Sequence, residues 1–191
     1  MSFIRNSLQF FRSTTVPLEG ITAGVATIDT NHAQIHASNA FSALGALTVL
    51  AAGTGGLQIY VPPGAYVHLQ ALSFSASSGP GMVEIYEDAS ISGGGSPVTT
   101  ANHHRLRPVD SLLTLTDAAA ATKVDGPGVV LLGKIPLHGF SQGQTKVNAE
   151  SGQPEEWILR PDTNYLVLLS NMDTSSIVFG YNFFWYEEES A

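Results

Sequence analysis

Residues 155–189 read EEWILRPDTNYLVLLSNMDTSSIVFGYNFFWYEEE, and this stretch decides the fold class. From Ile177 the odd positions are Ile177, Phe179, Tyr181, Phe183 and Trp185, while the even positions, Val178, Gly180, Asn182, Phe184 and Tyr186, are mixed. A period of two with large side chains on one side is the pattern of a half-buried strand. The run before it, Tyr165 to Leu169, is apolar in both phases, as in a central strand covered on both faces. With the polar tip Ser170–Ser176 between them, the two runs predict an antiparallel hairpin. So aromatic a last strand needs a facing layer, and the rest of the chain must supply it.

Working outward, strong β-formers and turn residues recur along the chain. Leu57, Ile59 and Val61 alternate with Gln58 and Tyr60, and Pro62-Pro63-Gly64 ends that strand. Between Ala65 and Ser77 the apolar phase slips by one residue at Ala71-Leu72, which predicts a bulge. Val83 and Ile85 alternate with Glu84 and Tyr86, ahead of a predicted long loop from Asp88 to Thr100. A strand is expected around Leu112–Thr116, and Asp117–Thr122 reads as a helical turn or a flexible link. Val129, Leu131, Gly133, Ile135 and Leu137 share one face of a further strand. Val130 and Leu132 take its other face, so its first half is expected to be covered on both sides. Phe140–Pro154 reads as a second long loop. In residues 21–52, alanine tempts a helix assignment, but the β-branched residues favour strands near His36–Ala43 and Leu47–Ala52. The expectation is eight to ten short strands and no amphipathic helix. That is an all-β, antiparallel β-sandwich, jelly-roll-like, as a single domain over residues 21–191.

Residues 1–20 stand apart as an N-terminal arm. They carry Arg5 and Arg12, two of the five arginines, with Phe3, Phe10 and Phe11. The segment is either a first strand or helix packed on its own domain or an arm that docks on a neighbour. In the second case Phe3, Arg5, Phe10, Phe11 and Arg12 form the interface, since exposed phenylalanines must be buried somewhere. The start of the chain lacks the long apolar core and small-residue cleavage site of a signal peptide.

Composition narrows the function classes. The 191 residues hold no cysteine, which excludes disulfides and cysteine-based metal or redox sites. A net charge of −8 with only eight Lys and Arg argues against nucleic acid as a partner. No run approaches the roughly 18 apolar residues of a membrane span. A charged fraction of 13% leaves a surface of Ser, Thr, Asn, Gly and Ala, either hydrated or buried in an assembly.

Candidate chemistry is thin. His32 and His36 are spaced i, i+4, which on a helix would turn both to one metal ion. Read as loop and strand, they sit about 13 Å apart, and no metal site is expected. His103 and His104 would point to opposite faces of a strand; a four-histidine site requires the fold to bring both pairs together. His68 and His138 stand alone. No G-x-S-x-G elbow occurs, and the glycine runs near 53–56 and 93–95 lack a phosphate loop's lysine. The acidic pairs, and the Glu187–Glu189 run, read as solvated strand ends that guard an aromatic strand against aggregation. No catalytic residue, cofactor or enzyme activity is expected.

Several stretches together resemble a family. They are Ile28 to His36 followed by Phe41, then Asn102-His103-His104-Arg105, then Glu156 to Tyr165, and the ending Asn182 to Glu187. This pattern resembles virion structural proteins of tailed bacteriophages that are similar to capsid decoration, or cement, proteins. The resemblance covers most of residues 28–188 and leaves the arm outside. It implies a β-sandwich or jelly roll on the outer surface of the phage head, with the major capsid protein as partner and self-association as a homotrimer. Two other functions fit the same fold class. One is a host-glycan-binding adhesin or fibre module using the loops Asp88–Thr100 and Phe140–Pro154. The other is a cupin-like metalloprotein using the histidines.

Overall fold

The computed structural model describes residues 30–92, 95–138 and 156–189. In chain order these form α1 (Thr30–His36), β1 (Ala40–Val49), β2 (Thr54–Val61), β3 (Ala65–Ala76), β4 (Pro80–Ile91), β5 (Ser96–Pro97), β6 (Thr100–Asn102), β7 (Thr114–Ala118), β8 (Lys123–His138), β9 (Trp157–Leu159), β10 (Thr163–Asn171) and β11 (Ile177–Glu189). One sheet has the order β6-β1-β11-β3-β9 and the other β5-β7-β2-β10-β4-β8. Every pairing is antiparallel. The two sheets pack face to face as a β-sandwich. The predicted arm, with Phe3, Arg5, Phe10, Phe11 and Arg12, and the predicted loop Phe140–Pro154 lie outside the described residues.

The odd positions of β11 point inward as the alternation requires. Ile177, Phe179, Phe183 and Trp185 are fully buried, and Phe41 stacks on Trp185 with ring centroids 5.9 Å apart. Tyr181 lies across Gly45, its cross-strand partner, where a Cβ would come within 2.1 Å of the phenol oxygen. Any larger residue at 45 would displace that ring. The Tyr181 hydroxyl donates to Asp117 Oδ2 at 2.9 Å, linking the first sheet to β7 of the second.

The predicted closing hairpin is not formed. β10 pairs with β2 and β4 in one sheet, while β11 pairs with β1 and β3 in the other. Both are central strands that need two partners and covered faces, so the polar tip crosses between sheets. Buried Asn171 holds that crossing. Its Nδ2 donates to the carbonyls of Val49, Leu50 and Ser175, and its Oδ1 accepts from Asp173 N–H at 2.8 Å.

Other boundaries also move. The strands expected near His36–Ala43 and Leu47–Ala52 are one unbroken strand, β1; α1 ends at His36, and Ser38 at φ 67° lies between the two elements. The β3 bulge exists, one residue earlier than the phase slip: Phe184 pairs with Ala71 and Trp185 with Leu69, leaving Gln70 without a partner. The predicted loop from Asp88 instead begins as strand. Register shifts at Ile85/Tyr86 and Glu87/Ala89, with Asp88 at φ 57°, bend the β4–β8 ribbon. Beyond the bend Ala89, Ile91 and Ala121 cluster with Leu166 and Leu168 in a second small core. Tyr165 to Leu169 is therefore buried on both faces, as its sequence predicts. The first half of β8 is not. Val130, Leu131 and Leu132 are 48%, 49% and 38% exposed, because among the described residues β8 ends its sheet and nothing lies over that stretch.

Candidate functional site

Four features among the described residues carry polar chemistry or open contact area. The first is the acidic end of β11. The inward phase that carries Trp185 carries Glu187 next, so its carboxylate enters the protein. Only 5% of it is exposed. Its Oε1 accepts from Trp185 Nε1 at 2.8 Å and Ser111 Oγ at 2.5 Å, and its Oε2 accepts from Leu112 N–H at 2.7 Å. The carboxylate thus pins the 103–113 segment to β11. The reading of this acidic run as solvated fails for Glu187 and holds for exposed Glu188. The alternation itself carried the missed signal, since 187 shares the phase of 185.

Glu156, at the foot of β9, organises a second cluster. Its Oε1 receives the Tyr186 hydroxyl at 2.6 Å and lies 2.5 Å from His68 Nδ1. The His68 and Tyr186 rings stack at 4.3 Å, 9° from parallel. Burial alone would raise the Glu156 carboxyl, but the hydrogen bonds from Tyr186 and His68 outweigh it and hold it below the usual carboxylate range. Burial, then the bond to Glu156, pushes the Tyr186 phenol up. His68, read as solitary, therefore has a carboxylate partner. Across the sandwich Tyr165 donates to Glu87 at 2.9 Å and accepts from Arg160 N–H at 2.8 Å. Burial and that acidic neighbour push its phenol up to about 12.

The histidines regroup at one corner. Because residues 30–36 are helical, His32 and His36 share a face, with their Nε2 atoms 2.9 Å apart and not the ~13 Å of a strand. The His104 ring centroid lies 6.4 Å from that of His36. His103 turns away and packs edge-on against Phe184 at 5.0 Å. Asn102 fixes this turn, donating to the carbonyls of Ser38 and Val109 and accepting from His104 N–H. Among the described residues, no three His, Asp or Glu side chains converge as a ready set of metal ligands.

The fourth feature is the β8 edge. The other sheet-terminal strands, β5, β6 and β9, are two or three residues long, whereas β8 has sixteen. Among the described residues no strand pairs with its other side between Pro127 and Pro136, and Val130, Leu131 and Leu132 stand half exposed there. The sequence matches no protein-family model. No curated protein matches it either.

Proposed function

We propose that this chain is a jelly-roll virion protein, a decoration or cement protein on the outer face of a tailed-phage head. The strand pairing supports the jelly-roll reading. β1 pairs with β11, β2 with β10, β3 with β9 and β4 with β8. The first four strands thus meet the last four in reverse order, as in an antiparallel ribbon rolled into two sheets. That architecture serves viral capsids, but lectins and cupins also use it, so the fold alone does not choose.

The observation that carries the functional reading is the β8 edge. A long terminal strand that leaves three consecutive apolar side chains half exposed is a contact surface awaiting a partner. The partner is the major capsid protein, with copies of this chain associating as homotrimers. Few charges would need desolvation at such contacts, given the 13% charged fraction. Engaging several shell subunits at once gains avidity, and binding only the closed shell stabilises it.

The test is to incubate purified protein with heads that lack it, pellet the heads, and image them by cryo-electron microscopy. Icosahedrally ordered density on the outer face is expected. Absence of co-sedimentation, or density confined to the tail, would sink the proposal. Deleting residues 2–16 separately tests the arm, with loss of head binding by a folded domain as the expected result.

A further inference from the structure

We propose that His32 and His36 form a binding site for a divalent transition-metal ion of the zinc, nickel or copper class. The argument begins with the helix. Four residues bring the two side chains onto one face of α1, and both are exposed. Their Nε2 atoms point at each other across 2.9 Å. Two imidazole nitrogens at this distance share either a proton or an ion. Metal–nitrogen bonds of about 2.0–2.1 Å around a tetrahedral centre separate two ligand nitrogens by roughly 3.3 Å. A few tenths of an ångström of side-chain motion would convert one arrangement into the other.

The neighbouring histidine is set up for a different task. His104 Nδ1 accepts from Arg107 N–H at 3.0 Å, so the neutral ring carries its proton on Nε2. In that tautomer neither ring nitrogen offers a free lone pair. His104 is thus a hydrogen-bond donor beside the site and not a third ligand. The ion would keep two protein ligands, with water or a group from a bound neighbour in its remaining positions. Imidazole ligands favour zinc, copper and nickel over magnesium or calcium. Such an ion would lock α1, and its open positions would let a docked partner complete the coordination.

The experiment titrates metal-free full-length protein with Zn²⁺, Ni²⁺ and Cu²⁺ by calorimetry, and records the Cu²⁺ electron paramagnetic resonance spectrum. One ion per chain with micromolar affinity is expected, with hyperfine structure from two imidazole nitrogens. His32→Gln and His36→Gln should each weaken binding by on the order of a hundredfold. His104→Gln should change it only a few-fold. Zn²⁺ should raise the melting temperature of the wild type, because it binds the folded state, and leave His32→Gln/His36→Gln unmoved. The exposed positions make these variants safe to fold, which their metal-free melting temperatures check. Binding that is absent, or equal in wild type and double variant, would overturn the site. If His104→Gln alone abolished binding, the two-histidine assignment would be wrong.

Discussion

β10 and β8 belong to the same sheet and carry nearly the same sequence signal. Leu166-Val167-Leu168-Leu169 and Val129-Val130-Leu131-Leu132 are both four-residue apolar runs. The first is buried throughout, and the second is half exposed over its last three residues. Composition does not separate them; neighbours do. β10 has a strand on each side, the sandwich core beneath, and the curled ends of β4 and β8 above. Among the described residues β8 has a partner on one side only. A period-free apolar run therefore says that two faces are available for burial, and the topology determines whether the chain itself covers them.

The largest test of that contrast is a pair of truncations. Leu169→Ala removes a fully buried side chain from the main core and should cost about 3–5 kcal/mol. Leu131→Ala, at the exposed edge, should cost under about 0.5 kcal/mol in the isolated chain. Urea denaturation of both variants measures this. Equal losses would mean that the β8 edge is covered within the free molecule.

Glu187 and Glu188 repeat the comparison on a single strand, one facing in and one out. Glu187→Ala strands the Trp185 indole N–H and the Leu112 amide, and should destabilise by roughly 2–3 kcal/mol. Glu188→Ala should be nearly silent. Hydrogen exchange at the Leu112 amide would localise the effect, rising in the first variant alone.

Much of this architecture was legible in the chain. The inward phase of β11, the double burial of Tyr165–Leu169 and the β3 bulge all follow from periodicity, because each is a local demand on which side a residue faces. The closing hairpin and the expected cover over β8 failed because they depended on partners far away in sequence. Whether Tyr165–Leu169 and Ile177–Trp185 pair with each other or with β4 and β3 is a matter of topology, and a polar tip suits either outcome. The strand assignment at His36 failed because β-branched neighbours outweighed Ala33 and Gln34, which favour α1. That one error hid the histidine pair, whose spacing means opposite things on a helix and a strand. Glu187 was misread because a run of three glutamates looks solvated, although strand phase separates 187 from 188.

A smaller effect comes from the buried phenols that bridge β10 and β11 to their surroundings. Burial, reinforced by Glu87, Asp117 and Glu156, raises Tyr165, Tyr181 and Tyr186 above the ordinary value of 10.0. Between that value and the raised one, the folded state holds more protons than the unfolded chain, so raising the pH favours unfolding. The stabilisation is complete below pH 10 and fades above it, toward about 12 for Tyr165. Melting temperatures from pH 8 to 11.5 should stay level at first and then fall. Tyr181→Phe, which cannot ionise at that position, should start lower and fall less steeply. A wild-type profile that is flat to pH 11.5 would contradict the linkage.

The smallest change in stability should accompany the most informative change in assembly. Leu131→Lys places a charge on the exposed edge of β8, the device by which sheet proteins discourage strand addition. The half-exposed side chain can reach water, so folding stability should shift by no more than about 0.5 kcal/mol. If the edge is a docking surface, head binding should fall sharply in this variant, while the equivalent change at Leu50, exposed just after β1, should leave it intact. Co-sedimentation with heads reads both. Loss in both variants would point to a general charge effect, and loss in neither would remove β8 from the interface. The contrast between β10 and β8 would then mark only where one sheet stops. With selective loss, the exposed run is the part of the apolar core that a neighbour completes.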